Sequence, residues 1–310
     1  MTLVARAFAK VNLGLEVLAK REDGYHELRT ILQTIDFGDE LTFRTTPEGE
    51  EGIKLTTNRT DIPSGSENLV YRAAALLAEQ APRGSGVAIH LDKGVPPGMG
   101  LAGGSADAAA ALRALDRLWR LELPEPELHR LARSLGMDVP FFLHGGTAIA
   151  AGRGDEVFPL GLELDWPIVL ILPDFPVSTA AAYANLRLTK RRSELTLLQN
   201  FTWRSPSVRD GLGELVNHLE GATGEHFPSI QKFKQRLVEC GARGSMMAGS
   251  GSAVFGVFED VDSAKAAADA LCQAGLHAVA TRMLSRADYR KRTTPRELFE
   301  TDGFRGVSRA

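Results

Sequence analysis

The sequence predicts an α+β protein of two domains, and three observations carry that prediction. Its 310 residues exceed what a single hydrophobic core usually organises. Early strands give way in mid-chain to a glycine-rich loop followed by helices. From Pro167 onward the pattern reads strand, helices, strand, strand, helix, strand, the order of a ferredoxin-like βαββαβ unit with extra helices inserted after its first strand.

The elements follow in order. Residues 1–18 alternate, with Ala5, Ala7, Ala9 and Val11 on one parity and Arg6, Phe8, Lys10 and Asn12 on the other, as in a half-buried strand. Arg21–His26 is a polar turn around Asp-Gly, followed by an extended run over Glu27–Phe37 and short strands near Leu41–Thr45 and Ile53–Thr57. Ser66-Glu67-Asn68 caps a helix over Leu69–Gln80, and Val87–Leu91 is a strand. The segment Lys93–Ala111 places five glycines between Gly94 and Gly104 and runs into an alanine-rich helix that ends near Trp119. A helix over Pro126–Leu135 is broken by Gly136-Met137-Asp138-Val139-Pro140, ahead of an apolar stretch and Gly145-Gly146. Beyond Pro167 come a strand at Ile168–Leu172 and helices near Thr179–Leu186, Val208–Leu219 and Ser229–Glu239. Strands Gly244–Ala248 and Ala253–Phe258, helix Ala264–Ala274 and strand Ala278–Met283 complete the unit. The expected division is 1–164, 165–284 and a tail, 285–310, with seven basic and four acidic residues and little apolar periodicity, read as a disordered or contact-ordered extension.

Composition narrows the function. With 44% hydrophobic and 24% charged residues the chain falls in the ordinary globular range, which excludes disorder, collagen and coiled coil. A net charge of −3 offers no global attraction to nucleic acid or to an anionic membrane, so a phosphorylated partner has to be held by a local device. Cys240 and Cys272 form neither a CxxC nor a Cys/His cluster, and are expected to be buried thiols in a reducing compartment. The longest strongly apolar run, Pro167–Pro173, is far short of the ~20 residues that span a bilayer, and a cytoplasmic protein is expected.

The anomaly is 31 glycines, about a tenth of the chain against a usual ~7%. Consecutive small residues leading into a helix let backbone N–H groups converge where the helix dipole is positive, so Gly94–Gly104 is a phosphate site on physical grounds. Gly98–Gly103 matches G-x-G-x-x-G, but Pro96-Pro97 precede it and Glu122 follows a helix, so the dinucleotide fingerprint fails; no Gly-Lys-Ser/Thr is present for a Walker loop. Gly249-Ser250-Gly251-Ser252 lies between adjacent strands and fits equally a hairpin turn or a wall close to a ligand. Singly, Lys10 reads as a solvent-face lysine and Asp138 as a helix N-cap.

Together the motifs are more specific. Lys10-Val11-Asn12-Leu13, the run PPGMGLAGGSADAA and AGSGS, in that order, resemble the three motifs of the GHMP kinase superfamily. Arg21–His26 and Leu135–Phe142 are similar to the branch whose substrate is a cytidine-diphosphate-linked methylerythritol. The resemblance covers about residues 5–283. It implies an N-terminal ribosomal-protein-S5-like domain, a C-terminal ferredoxin-like domain, and an ATP-dependent small-molecule kinase of non-mevalonate isoprenoid biosynthesis. By resemblance, Asp138 is the general base and Lys10 polarises the acceptor hydroxyl. Pro97, Gly98, Met99, Gly100, Leu101, Ala102, Gly103, Gly104 and Ser105 hold the ATP phosphates, with Lys93 and Asp107 near the nucleotide and Asn68 at its base or ribose. Tyr25 and Tyr183 sandwich the cytosine and His26 reads its edge, while Asn12, Thr179, Gly249, Ser250 and Gly251 line the sugar alcohol and diphosphate. Mg²⁺ accompanies ATP and can touch Ser105, without a dedicated protein cage. Ala102 stands where the family often has glycine. The other readings are a homoserine- or mevalonate-type kinase, which has no need of Tyr25-His26, and a non-catalytic ligand sensor. The expected partner is the small-molecule substrate, with no nucleic acid or membrane, in a monomer or homodimer.

Overall fold

Two long strands organise the N-terminal half of the computed structural model, which describes residues 1–47, 50–82, 85–186 and 216–298. Strand β1 (Thr2–Lys20) pairs antiparallel with β2 (His26–Thr45) from Thr2↔Arg44 to Lys20↔His26. The two extended runs expected after the first turn are thus one strand. Its first half also pairs with β5 (Thr147–Gly152) and its second half with β4 (Val87–Asp92), to which β3 (Ile53–Thr57) adds in parallel. β6 (Glu156–Pro159) completes this end by pairing with β5.

Helices α1 (Leu69–Ala78), α2 (Gly103–Trp119), α3 (Glu125–Leu135) and α4 (Val139–His144) pack on one face of this sheet. Asn68 starts α1 by accepting a hydrogen bond from the Val70 N–H at 2.9 Å. Helix α2 buries Ala106, Ala108–Ala111 and Ala114, and these small side chains let its backbone approach α1 and the sheet closely. It begins at Gly103, earlier than its alanine run suggests, so the last two loop glycines form its first turn.

The second sheet contains β7 (Pro167–Ile171), β8 (Gly244–Met247), β9 (Val254–Val257) and β10 (Ala278–Arg282), in the antiparallel order β10-β7-β9-β8. This is the ferredoxin-like arrangement expected from the element order. Helix α5 (Thr179–Ala184) follows β7, and α6 (Leu219–His226), α7 (Ser229–Glu239) and α8 (Val261–Gln273) complete the unit. Residues Ile230, Leu237, Ala267 and Leu271 of α7 and α8 cover Val169, Ile171, Val254 and Phe258. The helix expected near Val208–Leu219 lies for the most part outside the described residues.

A second apolar cluster joins the sheets: Ala9, Val11, Leu13, Ile31 and Ile35 pack against Ile168, Leu170, Phe255, Val257 and Met283. The reading of β1 as half-exposed is therefore corrected. Ala5 and Ala7 belong to the helix-covered core, Ala9 and Val11 to the inter-sheet core, and Phe8, Lys10 and Asn12 on the opposite parity are also buried. A strand covered on both faces loses its polar edge, and its polar side chains must then find partners.

The first part of the tail follows the contact-ordered alternative. Ser285 caps helix α9 (Arg286–Thr293), and β11 (Arg296–Glu297) pairs with β1. The buried Tyr289 donates its hydroxyl to the Phe142 carbonyl at 2.7 Å, and its ring lies where a side chain on Gly145 would sit. Arg292 grips Asp36 of β2 through two bonds of 2.6 Å. One of the tail's basic residues is thus an anchor to a carboxylate of β2. Cys240 is half-buried and Cys272 exposed, which corrects the expectation of buried thiols. Among the described residues no helix is long and apolar enough to cross a membrane.

Candidate active site

A cavity of about 900 Å³ opens between the two sheets, and it gathers residues from eight separated stretches of chain. Every candidate site residue singled out in the sequence lines it except Gly251. That residue sits behind Gly249 and Ser250, where the carbonyl of Ser250 accepts from Thr223 at 3.3 Å.

The lysine of β1 occupies the meeting point of the two glycine clusters. The pairing of β1 with β2 is irregular between Phe8 and Lys10, and the Lys10 N–H donates not to β2 but to the Leu101 carbonyl of the glycine loop at 3.1 Å. The Lys10 ammonium donates to Asn12 Oδ1 at 2.7 Å and to the Gly100 carbonyl at 2.8 Å. Of its three donors this leaves one uncommitted. Asn12 is itself oriented by donating to Thr30 Oγ1 at 2.8 Å, which in turn donates to the Gly14 carbonyl. Burial, the largest influence, holds the Lys10 pKa below its usual 10.5, and the nearby Asp138 carboxylate partly offsets it.

Asp138 stands at the N-cap position of α4 but makes no capping hydrogen bond, so the bland role read from the sequence is not the one its side chain performs. It lies within electrostatic reach of both Lys10 and Tyr183. A carboxylate spared from capping, lining the cavity and close to a buried ammonium, is available to hold or accept a proton.

The glycine loop is shaped by close approaches. A side chain on Gly100 (φ +73°) would strike the Ala248 carbonyl at 1.9 Å, and one on Gly249 (φ +54°) would meet the Gly100 carbonyl at 2.9 Å and Lys10 Nζ at 3.0 Å. The two clusters are thus one surface. The second is both a turn and a wall of the cavity, with Asn217 donating to the carbonyls of Met247 and Gly249 at 3.0 and 2.7 Å. At the start of α2 there is no side-chain cap and no first-turn carboxylate, and the N–H groups of Gly103 and Gly104 find no partner among the described residues. Free donors at the positive end of a 17-residue helix form an anion site. Ala102 adopts φ +55° there, a conformation that a glycine would hold at lower cost.

Lys93, expected beside the nucleotide, is differently employed. Its ammonium lies 2.5 Å from Asp39 and 2.8 Å from Asp107, all three side chains being buried. Asp39 also accepts from the N–H groups of Gly94 and Val95 at 2.7 and 2.8 Å. Burial opposes charge on Lys93, but the two carboxylates outweigh it and raise its pKa; burial and the neighbouring Asp39 hold the Asp107 carboxyl well above its usual range. The Lys93 charge is matched within the cluster, which props the base of the glycine loop, so Lys93 borders the cavity without a free charge to offer it.

At the other end of the cavity, His26 stacks on Tyr183 with ring centroids 5.0 Å apart. The Arg153 guanidinium lies 5.3 Å from the centre of the Tyr25 ring and pairs with Asp155 at 3.0 Å. The two tyrosines are therefore each partnered by another group rather than facing across an open slot. Burial, followed by the charge of Lys20, lowers the His26 pKa below its usual 6.5, which keeps the ring neutral at pH 7. Thr179, the first residue of α5, meets the Ser250 hydroxyl at 3.0 Å.

Sequence reasoning missed Asp39, Arg153 and Asn217. None sits in a motif. Asp39 is one acidic residue in a strand, and only the pairing of β2 with β4 brings it under Gly94. Arg153 lies beside Gly154 in a segment whose strands were not anticipated, though its Gly-Arg-Gly setting was a signal of close backbone approach.

Comparison with known proteins agrees with this architecture. Residues 68–146 match the GHMP kinases N-terminal domain and residues 206–277 the GHMP kinases C-terminal domain. The chain is 42% identical over 273 residues to 4-diphosphocytidyl-2-C-methyl-D-erythritol kinase of Pelotomaculum thermopropionicum, covering 86% of this chain and 92% of that protein. It is 40% identical over 296 residues to the enzyme of the same name from Pelodictyon phaeoclathratiforme, covering 94% and 96%. A solved structure of 4-(cytidine 5'-diphospho)-2C-methyl-D-erythritol kinase superposes with a TM-score of 0.75 at 38% identity, covering 91% of this chain and 99% of that one. Homoserine kinase from Cytophaga hutchinsonii superposes at 0.72 with 18% identity, a likeness of fold alone. With a helix-terminal anion site, a buried lysine and an uncapped aspartate in one cleft, and relatives at this identity along most of its length, the chain belongs to the 4-diphosphocytidyl-2-C-methyl-D-erythritol kinase family of the GHMP kinases.

Proposed function

We propose that this kinase transfers the γ-phosphoryl group of ATP to the tertiary, 2-position hydroxyl of 4-diphosphocytidyl-2-C-methyl-D-erythritol, a step of non-mevalonate isoprenoid precursor synthesis. The observation that carries the reading is the placement of Lys10 where the two glycine clusters meet, with Asp138, Tyr25, His26 and Tyr183 lining the same cavity.

The phosphates of ATP lie on the free N–H groups of Gly103 and Gly104 and the loop before them, with Asn68 toward the base or ribose. Mg²⁺ arrives with ATP and neutralises phosphate charge; the Ser105 hydroxyl, in the first turn of α2 and lining the cavity, is the side-chain oxygen suited to touch it. The acceptor hydroxyl sits between Lys10 and Asp138. The uncommitted Lys10 donor steadies the charge that develops on the oxygen, and Asp138 takes its proton as the new O–P bond forms and the bond to ADP breaks. A carboxylate is a weak base for an alcohol, so its contribution comes from position and from proton transfer coupled to phosphoryl transfer. Asn12, Thr179 and the Gly249–Ser250 wall flank the sugar alcohol and diphosphate. The cytosine stacks on the rings of Tyr25 and Tyr183, with the neutral His26 ring reading its edge, and this site distinguishes the substrate from mevalonate or homoserine.

The test is ADP release with ATP and 4-diphosphocytidyl-2-C-methyl-D-erythritol, alongside mevalonate and homoserine. Turnover is expected with the cytidylated alcohol alone, and turnover of either control in its place would overturn the assignment.

A further inference from the structure

A cluster outside the cavity has no part in this chemistry. Glu125 and His129 are four residues apart on α3 and therefore share a helix face, while His144 is the last residue of α4. Each offers a ligand atom, and the three atoms lie within 4.8 Å of one another. The two imidazole rings pack at 4.6 Å between centroids, tilted by 31°.

We propose that Glu125, His129 and His144 form a binding site for a first-row transition-metal dication of the zinc type, one that ties α3 to the end of α4. Two imidazoles and one carboxylate are a donor set that such ions favour, and three protein ligands leave a fourth position for water. Bonds of about 2.0–2.1 Å to a tetrahedral ion bring neighbouring ligand atoms to about 3.4 Å, so the cluster has to tighten modestly. Glu125 is exposed at the first residue of its helix and can supply that movement. A separate cavity of about 370 Å³ borders Glu125, together with Leu143, Arg113 and Arg290.

The surroundings sharpen the choice of ion. Arg113 and Arg133 face His129, and Arg286 and Arg290 of α9 face His144, with Glu125 as the opposing charge on both. These arginines oppose any dication, so the ion has to be one whose bonds to the two imidazole nitrogens outweigh them, which Mg²⁺ and Ca²⁺, with their preference for oxygen ligands, do not offer. An ion held here fixes the far end of the short helix that Asp138 precedes.

The experiment uses the full chain without a histidine tag, stripped with chelator. Zn²⁺ is titrated by calorimetry, Co²⁺ by its visible absorption, and thermal midpoints are read with Zn²⁺ and with Mg²⁺. One equivalent of Zn²⁺ should bind and raise the midpoint, Co²⁺ should show the intense band of a four-coordinate site, and excess Mg²⁺ should do neither. His129→Gln with His144→Gln should abolish binding. Glu125→Gln, at an exposed position that leaves the fold intact, should weaken it by at least about tenfold, the scale on which even outer-shell changes act. Absence of saturable Zn²⁺ binding to the unmodified chain, or undiminished binding in the Glu125→Gln variant, overturns the proposal.

Discussion

Two buried lysines border the same cavity and do opposite things. Lys10 donates to neutral acceptors, Asn12 Oδ1 and the Gly100 carbonyl, and burial lowers its pKa more than the nearby Asp138 carboxylate raises it. Lys93 is clasped by Asp39 and Asp107, and its pKa is raised. A lysine beside a phosphate site is available to a substrate only where its protein partners are uncharged. One whose charge is already matched serves the fold instead.

The largest expected effect tests the structural lysine. Lys93→Met leaves two buried carboxylates without their cation and should cost about 3–5 kcal/mol of unfolding free energy, read from the urea midpoint. A stable Lys93→Met protein that has lost ATP binding would place Lys93 with the phosphates and break the contrast. Next come the catalytic pair. Asp138→Asn should lower kcat by at least about a hundredfold with the melting temperature held, because Asp138 makes no capping bond to lose; unchanged turnover would return it to a positional role at the helix end. Tyr183→Ala should raise KM for the cytidylated substrate by the equivalent of about 1–3 kcal/mol and leave KM for ATP alone. Ala102→Gly should stabilise the chain by about 1 kcal/mol, since a residue at φ +55° loses its steric penalty without a Cβ.

The smallest effect is the most direct comparison of the two lysines. For Lys93, with a folded pKa above 10.5, the stabilisation is fully present below 10.5 and is lost as pH rises through the higher folded value. For Lys10 the folded pKa lies below 10.5, so between that value and 10.5 the unfolded chain binds more protons and stability rises with pH. Melting curves across the alkaline range should therefore show the stability difference between the unmodified chain and Lys93→Met shrinking with pH. The difference from Lys10→Met should move the other way, and parallel trends would mean that the two sites share one environment.

Much of the site was legible because its chemistry is backbone chemistry. Glycines that must pass within contact distance of a carbonyl, as Gly100 does at Ala248, leave a mark in composition, and the alanine row of α2 marks a helix packed hard against its neighbours. The ferredoxin-like order was equally legible, since its strands and helices differ in period. What escaped was whatever depended on pairing. β1 looked half-exposed because alternation within a strand reports one face at a time, and it is the second sheet that covers the other. The tail's order could not be read from its own residues, because Arg292 meets Asp36, a residue 256 positions away.

By itself the sequence determined the period of each element, the two glycine concentrations and the residue types able to hold phosphate, accept a proton and stack a base. Tertiary structure alone decided which lysine keeps an uncommitted donor, that Asp138 faces the cavity rather than its own helix, and that the two glycine clusters are one surface. The physical reason is that burial and charge pairing set what an ionisable group can do. Both are properties of neighbours brought from distant parts of the chain, and residue type and spacing do not contain them.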